Sequence, residues 1–154
     1  KDDPGSFFEF LPRGHDIYAV GTQECSIANE ELQRRIGAAL GRGFLLLHSN
    51  ALMGIKLLVY IRRTLFWLVT NVESAQLPTK LAGMVGTKGA VGISFVVDSV
   101  SLLFVTSHFT AHQNNVKDRN SDFRTICRNL GLPHKDHIQQ HMNLAPSPRR
   151  AKKL

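Results

Sequence analysis

Several positions carry side chains whose type and placement suit phosphate chemistry. Glu24 lies in "VGTQE", just past an apolar run, "DIYAV" (16–20), that reads as a buried strand closed by Gly21. A carboxylate fixed there by rigid backbone can ligate a hard cation such as Mg²⁺, which takes one or two carboxylates plus water and substrate phosphate oxygens. Read alone, Glu24 is equally a solvated loop acid near a helix start, where its charge suits the dipole. His108 ends a second run, "SLLFVTS" (101–107). A histidine at a strand's carboxyl end can donate to a phosphoryl oxygen or move a proton near neutral pH; a partly buried histidine bonded to backbone fits the same pattern. His112 stands four residues on, the spacing of a helical zinc pair, but the next residue after His108 is Phe109 where a zinc protease motif needs glutamate. A strand end is also the wrong context, so zinc is not expected.

Lys88, in "GTKGA", sits in a glycine-rich turn that opens a strand. Flanking glycines let backbone approach a ligand and bring an ammonium to phosphate, although a turn lysine in water is the commoner case. "VKDRNSDF" (116–123) places Lys117, Arg119 and Asn120 at the start of a helix, where amides and positive charge suit an anion. A solvated helix face is the alternative there.

The chain that must position these groups has 154 residues, 43% of them hydrophobic, which suits one globular domain. A formal charge of +7 calls for an anionic partner: nucleic acid, an acidic membrane surface or a phosphorylated small molecule. Part of that charge is a basic tail, "RRAKKL". Cys25 and Cys127 fit no metal spacing and read as free thiols in a reducing compartment. "LLVYIRRTLFWLV" is broken by Arg62 and Arg63 before it could span a bilayer, and "KDDPGSFFEFLPRG" does not resemble a signal peptide. The expected location is cytoplasmic; the first residue is Lys and not Met, a start that also fits a piece of a longer protein.

Helical spacing of Leu32, Ile36, Ala39 and Leu40 predicts a helix over 28–40, capped by Ser26 or Asn29 and stopped by "GRG". Strands are expected at 44–49, 54–62, 66–73, 90–97 and 101–107, with 74–89 a loop and Asp98-Ser99 the turn of a hairpin. A second helix is expected over 115–129, with Val116, Phe123, Ile126 and Leu130 on its apolar side and Gly131 and Pro133 ending it. Hairpin-linked strands between two helices predict an α/β protein of the layered α+β kind with a mixed, mostly antiparallel sheet. "GMVGTKGA" lacks the spacing and following Ser/Thr of a P-loop.

Taken in order, "DIYAVGTQE", "GTKGAVGISF" and "LLFVTSHFTAHQNNVKDRNSDF" resemble the inositol polyphosphate 5-phosphatases of the endonuclease/exonuclease/phosphatase superfamily, whose fold is a four-layered α/β sandwich. The resemblance runs from Asp16 to Pro133; within it "SHF-A" with "K-RN-DF" looks like the synaptojanin type, and "GTKGA" also like the type IV members. It implies that Glu24 binds Mg²⁺, that His108 contacts the scissile phosphate, and that Arg119 and Asn120 lie near the phosphate-binding region. Lys88 falls in the family's Lys-Gly motif, and His112 becomes a substrate-side loop residue. The implied reaction is Mg²⁺-dependent removal of the 5-phosphate from a phosphoinositide or a soluble inositol polyphosphate, with peripheral contact to an anionic membrane and no nucleic-acid partner. The family's Trp-Asn, "GDLNYR" and "PAWCDR" segments do not occur here. The expectation is therefore a partial catalytic domain over 1–133, the N-terminal portion of the sandwich, followed by a non-matching basic tail over 134–154. An inactive phosphoinositide-binding fragment is the alternative.

Overall fold

A computed structural model of the chain describes residues 10–79 and 88–132. Its elements are β1 (Ile17–Thr22), α1 (Asn29–Leu40), β2 (Phe44–Leu52), β3 (Ile55–Arg62), a 3₁₀ turn (Arg63–Leu68), β4 (Val69–Pro78), β5 (Gly89–Val97), β6 (Val100–His108) and α2 (Val116–Asn129). The strands form two three-stranded sheets, ordered β1-β3-β2 and β4-β5-β6, and every pairing among the described residues is antiparallel.

The centre strand of each sheet dictates the layering. β3, "IKLLVYIR", is buried along nearly its whole length, as expected of a strand covered on both faces. Because side chains alternate along a strand, Ile55, Leu57 and Val59 face one way and Leu58 and Tyr60 the other. The first set packs against Val91, Ile93 and Phe95 of β5, joining the sheets face to face. The second set packs with Tyr18, Val20, Leu32 and Ile36, which seats α1 on the outer face of the first sheet. On the far side Ala90 of β5 meets Ile126, Leu130 and Leu132, which seats the end of α2 on the second sheet. Gly92 makes that approach possible, since a Cβ there would lie 2.9 Å from side-chain carbons of both Leu130 and Leu132. The order helix, sheet, sheet, helix is that of a four-layered α/β sandwich, of which this chain builds part, with every strand pairing among the described residues antiparallel.

Several expectations are corrected in detail. The strand expected at 66–73 starts three residues later, because Arg63–Leu68 coil into the 3₁₀ turn and leave Trp67 84% exposed. Residues 74–78, expected as loop, continue β4 as an edge strand, and Pro78 is tolerated as its last residue. The α1 N-cap is Ala28, with no side-chain cap; the Asn29 amide donates instead to Ser49 Oγ, at 3.2 Å. On α2, Ile126 and Leu130 are buried as expected, but Val116 and Phe123 are exposed and Asp122 is buried in their place. The basic tail expected over 134–154 lies outside the described residues.

Candidate functional site

Three strand ends meet at one mouth of the sandwich. Glu24 follows the end of β1, Lys88 precedes the start of β5, and His108 is the last residue of β6. In the β5–β6 ladder Gly89 stands opposite His108, which sets the Lys88 side chain beside the imidazole. The Lys88 ammonium lies 2.6 Å from His108 Nε2, and the same Nε2 lies 3.5 Å from a Glu24 carboxylate oxygen. The Glu24 side chain is 79% exposed and that of His108 21%. An acid open to solvent thus borders a largely enclosed histidine and lysine.

Local chemistry explains how two sheets are held in register here. Gly21 sits so close to β6 that a Cβ would lie 2.9 Å from both Thr106 Cβ and Thr106 Oγ1. The Gln23 side-chain amide then donates to Thr106 Oγ1 at 2.8 Å. These two contacts tie the turn carrying Glu24 to the strand carrying His108, across the gap between the sheets. Glu24 itself has a φ of 53°, a left-handed conformation uncommon outside glycine, so its turn is held by its surroundings. On the other side Gly89 lets the second sheet close, because a Cβ there would strike the Leu77 carbonyl oxygen, and the Thr79 amide donates to the Lys88 carbonyl at 2.9 Å.

His108 Nε2 has two competing partners, and that competition defines what the cluster can do. As a lone pair it accepts from the Lys88 ammonium; as N–H it donates toward Glu24 and repels the lysine. A phosphate oxygen entering between Lys88 and His108 satisfies both as donors, which suits charge-assisted binding of a phosphomonoester. Glu24 is the acid at this mouth, and it fits Mg²⁺, whose shell keeps several waters and completes itself with substrate oxygens. Among the described residues no three His, Cys, Asp or Glu side chains group into a metal cage. A hydrated cation held at this mouth would take Glu24 as one ligand and complete its shell with water and substrate oxygens.

Of the remaining expected residues, His112 lies on the connection from β6 to α2, and Arg119 and Asn120 lie in the first turns of α2. The Arg119 guanidinium donates to the carbonyls of Thr110, His112 and Gln113, so it is spent on ordering that loop. His112 is exposed with a φ of 73°, and Asn120 is exposed one turn into α2; neither makes a contact shown here with Glu24, Lys88 or His108. Asp122, which sequence reasoning passed over, anchors the loop from below: its carboxylate accepts from both the amide and the hydroxyl of Thr110, at 2.8 and 2.7 Å. Lys56 was also passed over. It is 5% exposed, and the signal for it was visible, a single charge inside the otherwise apolar "GIKLLVYI". A cavity of about 400 Å³ lined by Leu11, Tyr18, Leu40, Phe44 and Arg62 opens near the start of β1, at the opposite end of that strand from Glu24. It belongs to the other pole of the sandwich.

This fold matches known proteins. The model of endonuclease/exonuclease/phosphatase family 2 matches residues 6–145, and the chain belongs to that family. Within it, the relatives are inositol polyphosphate 5-phosphatases and synaptojanins. The human phosphatidylinositol polyphosphate 5-phosphatase type IV is 36% identical over 138 residues, covering 86% of this chain and 21% of that protein. Rat synaptojanin-2 is 34% identical over 142 residues, covering 82% of this chain and 9% of that one. A solved inositol polyphosphate 5-phosphatase domain of a synaptojanin, in complex with inositol (1,4)-bisphosphate and calcium, aligns with a TM-score of 0.65 at 32% identity. That alignment covers 80% of this chain and 39% of that domain, so the chain spans well under half of the relatives it matches. Among the described residues no helix is long and apolar enough to cross a membrane.

Proposed function

We propose that this chain carries the phosphate-binding and metal-binding half of a phosphomonoesterase site that removes the 5-phosphate from phosphoinositides or inositol polyphosphates with Mg²⁺. The observation that supports this most is the meeting of Glu24, Lys88 and His108, from three strand ends and both sheets, at one mouth. The type IV enzyme and the synaptojanin domain carry the reaction and the ligand class in their names. Lys88 and His108 take the non-bridging oxygens of the phosphate, and Glu24 orients the cation. When bound, Mg²⁺ supplies charge neutralisation on the phosphate and on the departing ring oxygen. The fixed Lys88 and His108 groups act in the same sense as donors, because they are already aimed where negative charge grows. The general base is not among the residues assigned here, so the reading assigns binding to these residues and full turnover to a longer domain. Arg119 acts through the loop it braces, and Asn120 follows it on α2. The net charge of +7 suits peripheral contact with anionic membranes in the cytoplasm.

The test is calorimetry of inositol (1,4,5)-trisphosphate with and without Mg²⁺, paired with phosphate release from the same compound and from its lipid counterpart. The expected result is Mg²⁺-enhanced binding that Glu24→Gln removes and little release from this chain. Binding indifferent to both Mg²⁺ and Glu24 would contradict the assignment. Robust turnover by this chain would show that it holds the general base too.

A further inference from the structure

The turn that bears Glu24 is gripped from β3, at a residue that none of the site motifs includes. Lys56 is the second residue of β3 and is 5% exposed, with its ammonium 2.7 Å from the Cys25 carbonyl oxygen and 2.6 Å from that of Ile27. A buried ammonium is tolerated only when its charge is answered by close hydrogen bonds, and here backbone carbonyls answer it. Two more contacts come from the same strand start: the Cys25 amide donates to the Gly54 carbonyl at 3.0 Å, and a Cβ on Gly54 would lie 3.3 Å from Glu24 Cα. Glu24, at φ 53°, is thus fixed on its C-terminal side by β3 and on its N-terminal side by the Gln23–Thr106 bond.

Resting on the reading of Glu24 as a metal ligand, we propose that Lys56 is a positioning residue for the metal: its ammonium, bonded to the Cys25 and Ile27 carbonyls, holds the Glu24 turn in its left-handed conformation so that the carboxylate presents to the cation. An apolar side chain of similar length would fill the same space on an apolar strand. A charge at this position therefore serves the turn and not the core. The carbonyls it binds would otherwise need other donors, and the turn would be free to leave a conformation that costs a non-glycine residue energy. Partners standing behind a metal ligand typically govern metal affinity by about 10–100-fold.

The experiment uses the whole 154-residue chain. Mn²⁺ binding is followed by electron paramagnetic resonance, with Mg²⁺ as competitor, on the natural chain and on Glu24→Gln, Lys56→Met and Lys56→Arg. Amide exchange at Cys25 is read in parallel. The expected result is loss of the site in Glu24→Gln, about 10–100-fold weaker Mn²⁺ binding in Lys56→Met with faster Cys25 exchange, and partial recovery in Lys56→Arg. Unchanged Mn²⁺ affinity in a folded Lys56→Met overturns the proposal while leaving the metal reading intact. Unchanged affinity in Glu24→Gln overturns the metal reading and this proposal together. Should Lys56→Met not fold, Gly54→Ala presses on the same turn from the strand start, and an affinity equal to that of the natural chain would likewise overturn it.

Discussion

Lys88 Nζ and His108 Nε2 are 2.6 Å apart at the mouth of the sandwich, within hydrogen-bond distance, so both reach the same small volume. Replacing Lys88 by Met removes one of the two without altering the strand ladder, since the residue precedes β5. Inorganic phosphate and inositol phosphates are expected to bind about 10-fold more weakly to the variant, with a shallower dependence on salt. Phosphorus NMR titration at two ionic strengths measures this, and equal affinity would remove Lys88 from the site.

Asp122 and Arg119 brace the loop between His108 and α2 through backbone groups. Asp122→Ala leaves the Thr110 amide and hydroxyl buried without their acceptor and is expected to cost about 2–3 kcal/mol, read by urea denaturation. Arg119→Lys cannot reach three carbonyls at once. It should speed amide exchange over residues 110–115 while weakening phosphate binding less than Lys88→Met does.

Gly89→Ala tests how tightly the second sheet closes behind Lys88. The added Cβ would meet the Leu77 carbonyl oxygen and lie 2.9 Å from Leu52 Cδ2, so β4 and β2 must both yield. A loss of about 1–3 kcal/mol in thermal or urea unfolding is expected, together with weaker phosphate binding. A variant as stable as the natural chain would show that the strand pairing there is loose.

Tyr60 makes stability fall at alkaline pH. Its phenol is 3% exposed and donates to the Gln33 carbonyl at 2.7 Å, and burial pushes its pKa up from 10.0 to about 12. The folded state holds its proton more tightly than the unfolded one. The contribution is therefore full below pH 10 and is lost as pH rises through about 12. Thermal unfolding followed across that window should show a falling midpoint, flattened in Tyr60→Phe, and the phenolate absorbance of Tyr60 should appear late in the folded protein.

Much of this architecture could be read from residue order, and what could not has physical causes. Runs of β-formers located five of the six strands because β3 and β5 are covered on both faces and must be apolar throughout. β4 was shifted because it is an edge strand with one face in solvent. Its signal was the period-two burial of Glu73, Ala75 and Leu77, which small and polar neighbours mask. α2 misled in a different way. Hydropathy pointed Val116 and Phe123 inward, whereas the helix is held by a carboxylate that no hydrophobic pattern can reveal. For the site, the motifs named Glu24, Lys88 and His108; the expected β5–β6 hairpin sets Lys88 beside His108, whereas no local signal brought Glu24 to them, since β1 is far from that hairpin in sequence. Arg119 was legible as a positive charge at the start of a helix, but its bonding to carbonyls depends on how residues 110–113 turn.

The Gln23–Thr106 bond joins residues 83 positions apart, and it bridges the two sheets at the mouth. Contacts of such long sequence separation form only after most chain entropy has been surrendered, which makes them slow. The β2–β3 hairpin and the sequential strands β4, β5 and β6 can pair before then, and neither sheet holds the cluster alone. The mouth is accordingly among the last features to appear during refolding. An anion bound between Glu24's turn and Lys88 would act as a clasp on the finished sandwich, slowing its unfolding more than it speeds its folding.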